Sequence, residues 1–211
     1  MKLKILVLVF CFGLLGTISA QPSDYKALSS TEKTKVVNAI AAASKNLSSL
    51  QLNFVQTKKV SILKDPVKSQ GKMYYQSPMM LRWEYTQPKQ PAFVMNNTKV
   101  ALVAENGTKT TPNRGFQEMN TMVMKIMNGD ELANGKNFTV TCYANSNNYW
   151  LKMVPVNKRL KQMFSSFNIM VDKKTKMAKL IKIEEVSGDV TMLEFSNVIT
   201  NKTLDKKLFA L

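Results

Sequence analysis

The 211-residue chain carries 30 lysines and arginines against 14 acidic residues, a net charge of +16, and contains no histidine. Without histidine, both the commonest general base near neutral pH and the commonest metal ligand are missing, which excludes histidine-dependent hydrolases and zinc enzymes. Two cysteines, Cys11 and Cys142, leave no disulfide framework, so the fold must be held by its own core.

Residues 1–20 begin with Lys2 and Lys4, continue as an apolar run from Ile5 to Leu15 and end in small residues before Gln21. This reads as a cleavable secretory signal, because the run is too short to span a bilayer. Cys11 follows the bulky Phe10, unlike the small residues a lipoprotein processing site needs. The expectation is an exported single domain over 21–211 with Cys142 as its one thiol. Removing Lys2 and Lys4 from the 30 basic residues leaves 28 against 14 acidic ones, a net +14. That balance fits a well-solvated exterior, or attraction to anionic head groups or an acidic partner. Export and the scatter of the lysines argue against nucleic acid.

From Thr31 a helical pattern runs through Val36, Ile40, Ala43, Leu47 and Leu50, with Ser30 or Thr31 as the expected N-cap and Glu32 in the first turn. The period then becomes two, with Leu50, Leu52 and Phe54 alternating with Gln51 and Asn53, and strand-like runs follow at 67–76, 80–86, 91–96 and 98–104. In the run at 80–86, Leu81, Trp83 and Tyr85 face one side, while Met80, Arg82 and Glu84 face the other. Asn106-Gly107 marks a hairpin turn. Between Gly115 and Gly129, Phe116, Met119, Met122, Val123, Ile126 and Met127 recur at three and four residues, which predicts a second helix. Strand patterns resume at 137–144, 148–156, 165–172, 177–186 and 189–196.

The reading is mainly β (α+β): a strongly curved antiparallel sheet, or incomplete barrel, with helices over its open side. A tightly closed small barrel is filled by its own side chains, whereas a larger or partly open one leaves ligand space. Catalytic motifs are missing. Gly129 to Lys136 lacks the spacing of a phosphate loop and reads as a turn. The adjacent pairs Asp130-Glu131 and Glu184-Glu185 read as surface charges. Fourteen methionines, grouped at Met119, Met122, Met124 and Met127 and at Met73, Met79, Met80 and Met95, suit a surface that adapts to flexible apolar ligands; each one alone also suits an ordinary core.

The run Ser49-Leu50-Gln51-Leu52-Asn53-Phe54-Val55-Gln56, then Gly71-Lys72-Met73-Tyr74-Tyr75, Ser77-Pro78, Leu81-Arg82-Trp83-Glu84-Tyr85 and Gln87-Pro88, resembles the outer-membrane lipoprotein carrier family over roughly residues 31–103. The resemblance implies an incomplete antiparallel β-barrel of about ten to eleven strands, with helices as a lid over an apolar cavity for acyl chains. It implies a non-enzymatic, monomeric periplasmic carrier without cofactor or metal. Its partners would be acylated lipoproteins, an inner-membrane lipoprotein-releasing transporter and an outer-membrane acceptor or lipid. A lipid-sensing module or glycolipid carrier of the same fold is the alternative. The expected cavity residues are Leu52, Phe54, Leu81, Trp83, Tyr85 and Phe93 on the sheet, and Val36, Ile40, Met119, Met122, Val123 and Ile126 on the helices. One departure stands out: the best-known family members carry an arginine directly before the proline, where this chain has Ser77.

Overall fold

The computed structural model describes residues 24–112, 131–132 and 135–211. The described residues form twelve strands, the longer of them mostly on period-two patterning: β1 (Lys26–Ala27), β2 (Ser49–Lys59), β3 (Val67–Gln76), β4 (Met80–Gln87), β5 (Ala92–Asn96), β6 (Lys99–Val103), β7 (Lys109–Thr110), β8 (Phe138–Ala144), β9 (Asn148–Pro155), β10 (Phe164–Asp172), β11 (Ala178–Glu185) and β12 (Val190–Thr200). They form one antiparallel sheet in the order β1-β8-β9-β10-β11-β12-β2-β3-β4-β5-β6-β7. The sheet is open, and both of its edges are two-residue strands, which leaves little bare backbone for unwanted pairing. The strand count exceeds the expected ten to eleven because β1 is too short to carry a periodic signal.

Helix α1 (Ser30–Lys45) is capped by Ser29 rather than Ser30 or Thr31. The Ser29 hydroxyl accepts from the Glu32 amide, and the Glu32 carboxylate accepts from the Ser29 amide at 2.9 Å. The helix also stops short of Leu47 and Leu50: Asn46 caps its end, and Leu50 already pairs with Thr200 and Tyr75 inside the sheet. A second helix, α2 (Lys158–Lys161), starts at Asn157, whose side chain accepts from the amides of Arg159 and Leu160. The predicted helix at 115–129 and the predicted signal at 1–20 lie outside the described residues.

The interior is divided. One cluster joins Val36, Val37 and Ile40 of α1 to Phe138, Cys142, Leu151, Met153, Phe167, Ile169 and Val171 of β8–β10. The other gathers Leu50, Leu52, Phe54, Met73, Tyr75, Leu81, Phe93 and Met95 of β2–β5. Cross-strand register builds both, because residues paired side by side across strands face the same way. Leu193, Ile181, Ile169, Leu151 and Cys142 form one continuous row, and Leu50, Tyr75, Leu81, Met95 and Val100 form another. On the opposite face a 3-10 turn at Lys206–Phe209 docks on β4 and β5. There Asn96 Nδ2 donates to the Phe209 carbonyl (3.1 Å), and Phe209 and Val94 are both fully buried.

Burial pushes the Cys142 thiol up to about 11, so at pH 8 almost no nucleophilic thiolate exists. Labelling of Cys142 by a thiol reagent is expected to be negligible in the native protein and to follow the unfolding curve in urea. Fast labelling without denaturant would contradict its placement.

Candidate functional site

Between the two clusters lies an apolar cavity of about 180 Å³. A cavity needs roughly 15 Å³ to admit a single water, so this hollow is well beyond a packing defect. Leu50, Leu52, Met73, Tyr75 and Trp83 wall it from β2–β4. Leu151, Phe167, Ile169, Val171, Ile181, Ile183, Leu193 and Phe195 wall it from β9–β12, and Ile40 and Ser44 from α1.

Ile40, Leu52 and Trp83 of the expected set stand in the cavity wall. Phe54, Leu81 and Phe93 are buried beside the wall residues in the β2–β5 cluster, and Tyr85 packs against that cluster. Val36 belongs to the opposite cluster. Met119, Met122, Val123 and Ile126 lie outside the described residues. Wall residues from β9–β12 did not enter the sequence-based set. Their alternation was visible, as in Phe167, Ile169 and Val171, but nothing local announces that β12 lies beside β2 and carries these strands to the far side of the same hollow.

The aromatic side of the wall depends on a glycine. Phe54 stacks on Trp83 with ring centres 4.2 Å apart and meets Tyr85 edge-on at 5.3 Å. Gly71 sits directly across from Phe54 in the sheet, and a Cβ there would fall 2.6 Å from Phe54 Cζ and 2.0 Å from the Glu84 carbonyl oxygen. The absent side chain is what lets the Phe54 ring lie over β3. Tyr85 Oη donates to Gln56 Oε1 at 3.1 Å. Met73 and Tyr75 point inward and are 3% exposed. Arg82, on the outer face, pairs with Glu84 (2.5 Å) and also donates to the Leu208 carbonyl.

Two carboxylates from the adjacent acidic pairs are held by their neighbours. Glu131, expected on the surface, is buried and accepts from the Asn137 amide and side chain, both at 3.1 Å. Glu184 is part-buried and accepts from Ser166, Asn168 and Lys182. Among the described residues no cluster of three potential metal ligands occurs.

Asp172 organises the β10–β11 turn, accepting from the amides of Lys174 and Thr175 (2.9 and 2.8 Å) and pairing with Lys179 (2.8 Å). The Lys179 bond, then the Thr175 amide, hold its carboxyl well below the usual carboxylate range. A carboxyl whose folded value is depressed stabilises the fold fully above its unfolded value of about 4 and loses that contribution as pH falls toward the folded one. Asp172→Asn is therefore expected to flatten the stability loss below about pH 4 relative to the parent protein, read by urea unfolding at stepped pH. An unchanged acid slope would count against it.

The class these observations define is one of fold: an open antiparallel sheet whose two halves flank an apolar hollow. The chain belongs to the outer membrane lipoprotein carrier protein LolA family, whose model matches residues 45–211. An outer-membrane lipoprotein carrier protein of Methylococcus capsulatus is 28% identical over 161 residues, covering 76% of this chain and 75% of that protein. Among solved structures, MucB superposes with a TM-score of 0.52 at 12% identity, over 87% of this chain and 64% of MucB. The lipoprotein LppX of Mycobacterium tuberculosis gives 0.50 at 12% identity, over 84% and 99%. At such identities the likeness concerns the fold alone.

Proposed function

We propose that this protein is a non-enzymatic, monomeric periplasmic carrier. It takes the acyl chains of lipoproteins into the cavity at an inner-membrane releasing transporter and passes them to an outer-membrane acceptor or to the membrane itself. The observation that carries this reading is the unfilled apolar space between two separate core clusters. Burial of a methylene is worth about 0.8 kcal/mol, so a sixteen-carbon chain represents roughly 12 kcal/mol and does not cross water unshielded. A hollow of about 180 Å³ must widen to take a whole multi-chain anchor, and its wall includes the adaptable Met73 and Met177.

Co-expression with a lipoprotein, purification and mass spectrometry test the proposal, together with extraction of lipoprotein from inner-membrane vesicles. The expected result is an acylated polypeptide bound one to one and released in soluble form. Protein that emerges without acylated cargo and extracts none overturns it.

A further inference from the structure

Among the described residues of the cavity wall, Lys176 alone carries a charge. It occupies a left-handed backbone position, φ +59°, in the β10–β11 turn, which non-glycine residues seldom adopt. Its ammonium folds back to donate to the Lys173 carbonyl. The Nζ atoms of Lys173 and Lys176 lie 5.1 and 5.4 Å from the centre of the Tyr149 ring. Tyr149 in turn packs against the α1–β10 cluster, so the Lys173 ammonium shares one ring with the Lys176 ammonium, whose residue lines the hollow. Lys174 adds a third charge in the same turn. The turn's own carboxylate, Asp172, is already taken by Lys179 and the turn amides. None of Lys173, Lys174 and Lys176 is ion-paired with a described carboxylate.

Like charges gathered at the lip of an apolar space attract one kind of molecule, in which a hydrocarbon chain ends in an anion. Resting on the reading of the cavity as an acyl site, we infer that the β10–β11 turn is a headgroup site. Lys173 and Lys176 there hold the phosphate or carboxylate of an anionic amphiphile whose chain occupies the cavity. The cavity supplies affinity for any chain of suitable length, and the lysines select among headgroups.

The experiment uses the full mature chain, stripped of lipid and loaded with the neutral fluorophore N-phenyl-1-naphthylamine. Displacement is measured with palmitoyl lysophosphatidylglycerol, palmitoyl lysophosphatidylcholine and hexadecanoate. The anionic ligands are expected to displace the fluorophore at about fivefold lower concentration than the zwitterionic one, the worth of one part-exposed ion pair. That preference should shrink in high salt and vanish in Lys173→Gln/Lys176→Gln, with an unchanged melting temperature. Stronger displacement by lysophosphatidylglycerol than by hexadecanoate identifies the phospholipid phosphate as the source; the reverse identifies a fatty-acid carboxylate. Equal displacement by all three in the parent protein, or a preference that survives the double substitution, overturns the headgroup site while leaving the acyl cavity standing. Failure of every amphiphile and of the neutral fluorophore to bind removes the cavity reading and this inference with it.

Discussion

Replacing Ile181 and Leu193 together by tryptophan is expected to weaken binding of a sixteen-carbon amphiphile by about a hundredfold while leaving the protein folded. The two residues are cross-strand neighbours; Ile181 packs against one core cluster and Leu193 against the other. Two indoles there would fill the hollow from its middle and join the clusters. Displacing about four methylenes of ligand at roughly 0.8 kcal/mol each costs about 3 kcal/mol, or two powers of ten in affinity. New side-chain volume entering existing space need not force its neighbours off their rotamers, so the melting temperature should stay near that of the parent. Titration of the double variant with hexadecanoate or a neutral apolar fluorophore decides the matter. Undiminished binding in a folded variant would place the ligand elsewhere.

Gly71→Ala is expected to cost about 3 kcal/mol in urea unfolding, at the upper end of overpacking costs. The obstacle is the Glu84 carbonyl oxygen, 2.0 Å from where the Cβ would lie. That oxygen belongs to the neighbouring strand and cannot swing aside as a side chain would. Out of a total stability of about 5–15 kcal/mol, such a loss leaves a marginal fold. Trimming the ring in a Phe54→Leu background removes the second clash but not the first, so it should recover little. A Gly71→Ala protein as stable as the parent would mean that β3 and β4 are not paired in this register.

Much of the architecture was legible because one face of an antiparallel sheet is buried, and burial writes a period of two into the chain. Leu81, Trp83 and Tyr85 therefore announced their common face. The helix cap was also written there: among Ser29, Ser30 and Thr31 only Ser29 stands three residues before Glu32, the spacing a reciprocal cap requires. Ser30 and Thr31 drew the expectation because they are adequate caps in isolation. Half of the cavity wall escaped for a different reason. Strand pairing between β12 and β2 joins residues far apart in sequence, and no local pattern encodes which strands become neighbours. Glu131 escaped because a carboxylate reads as solvated until the groups that satisfy it, the Asn137 amide and side chain, are seen around it.

The ladder at the middle of the sheet is also the one whose partners are made furthest apart in time, since Leu50 pairs with Thr200. As the chain emerges from its N-terminus, the β2–β7 meander can form early, yet it keeps the eleven residues of β2 as a bare flank until the last long strand is synthesised. Contacts of such long range are slow to close, and an unpaired flank is a template for a neighbouring chain. The hollow straddles this late seam, so a nascent copy has no hollow at all until β12 arrives, and any helper that guards the unfinished molecule would be needed at that flank.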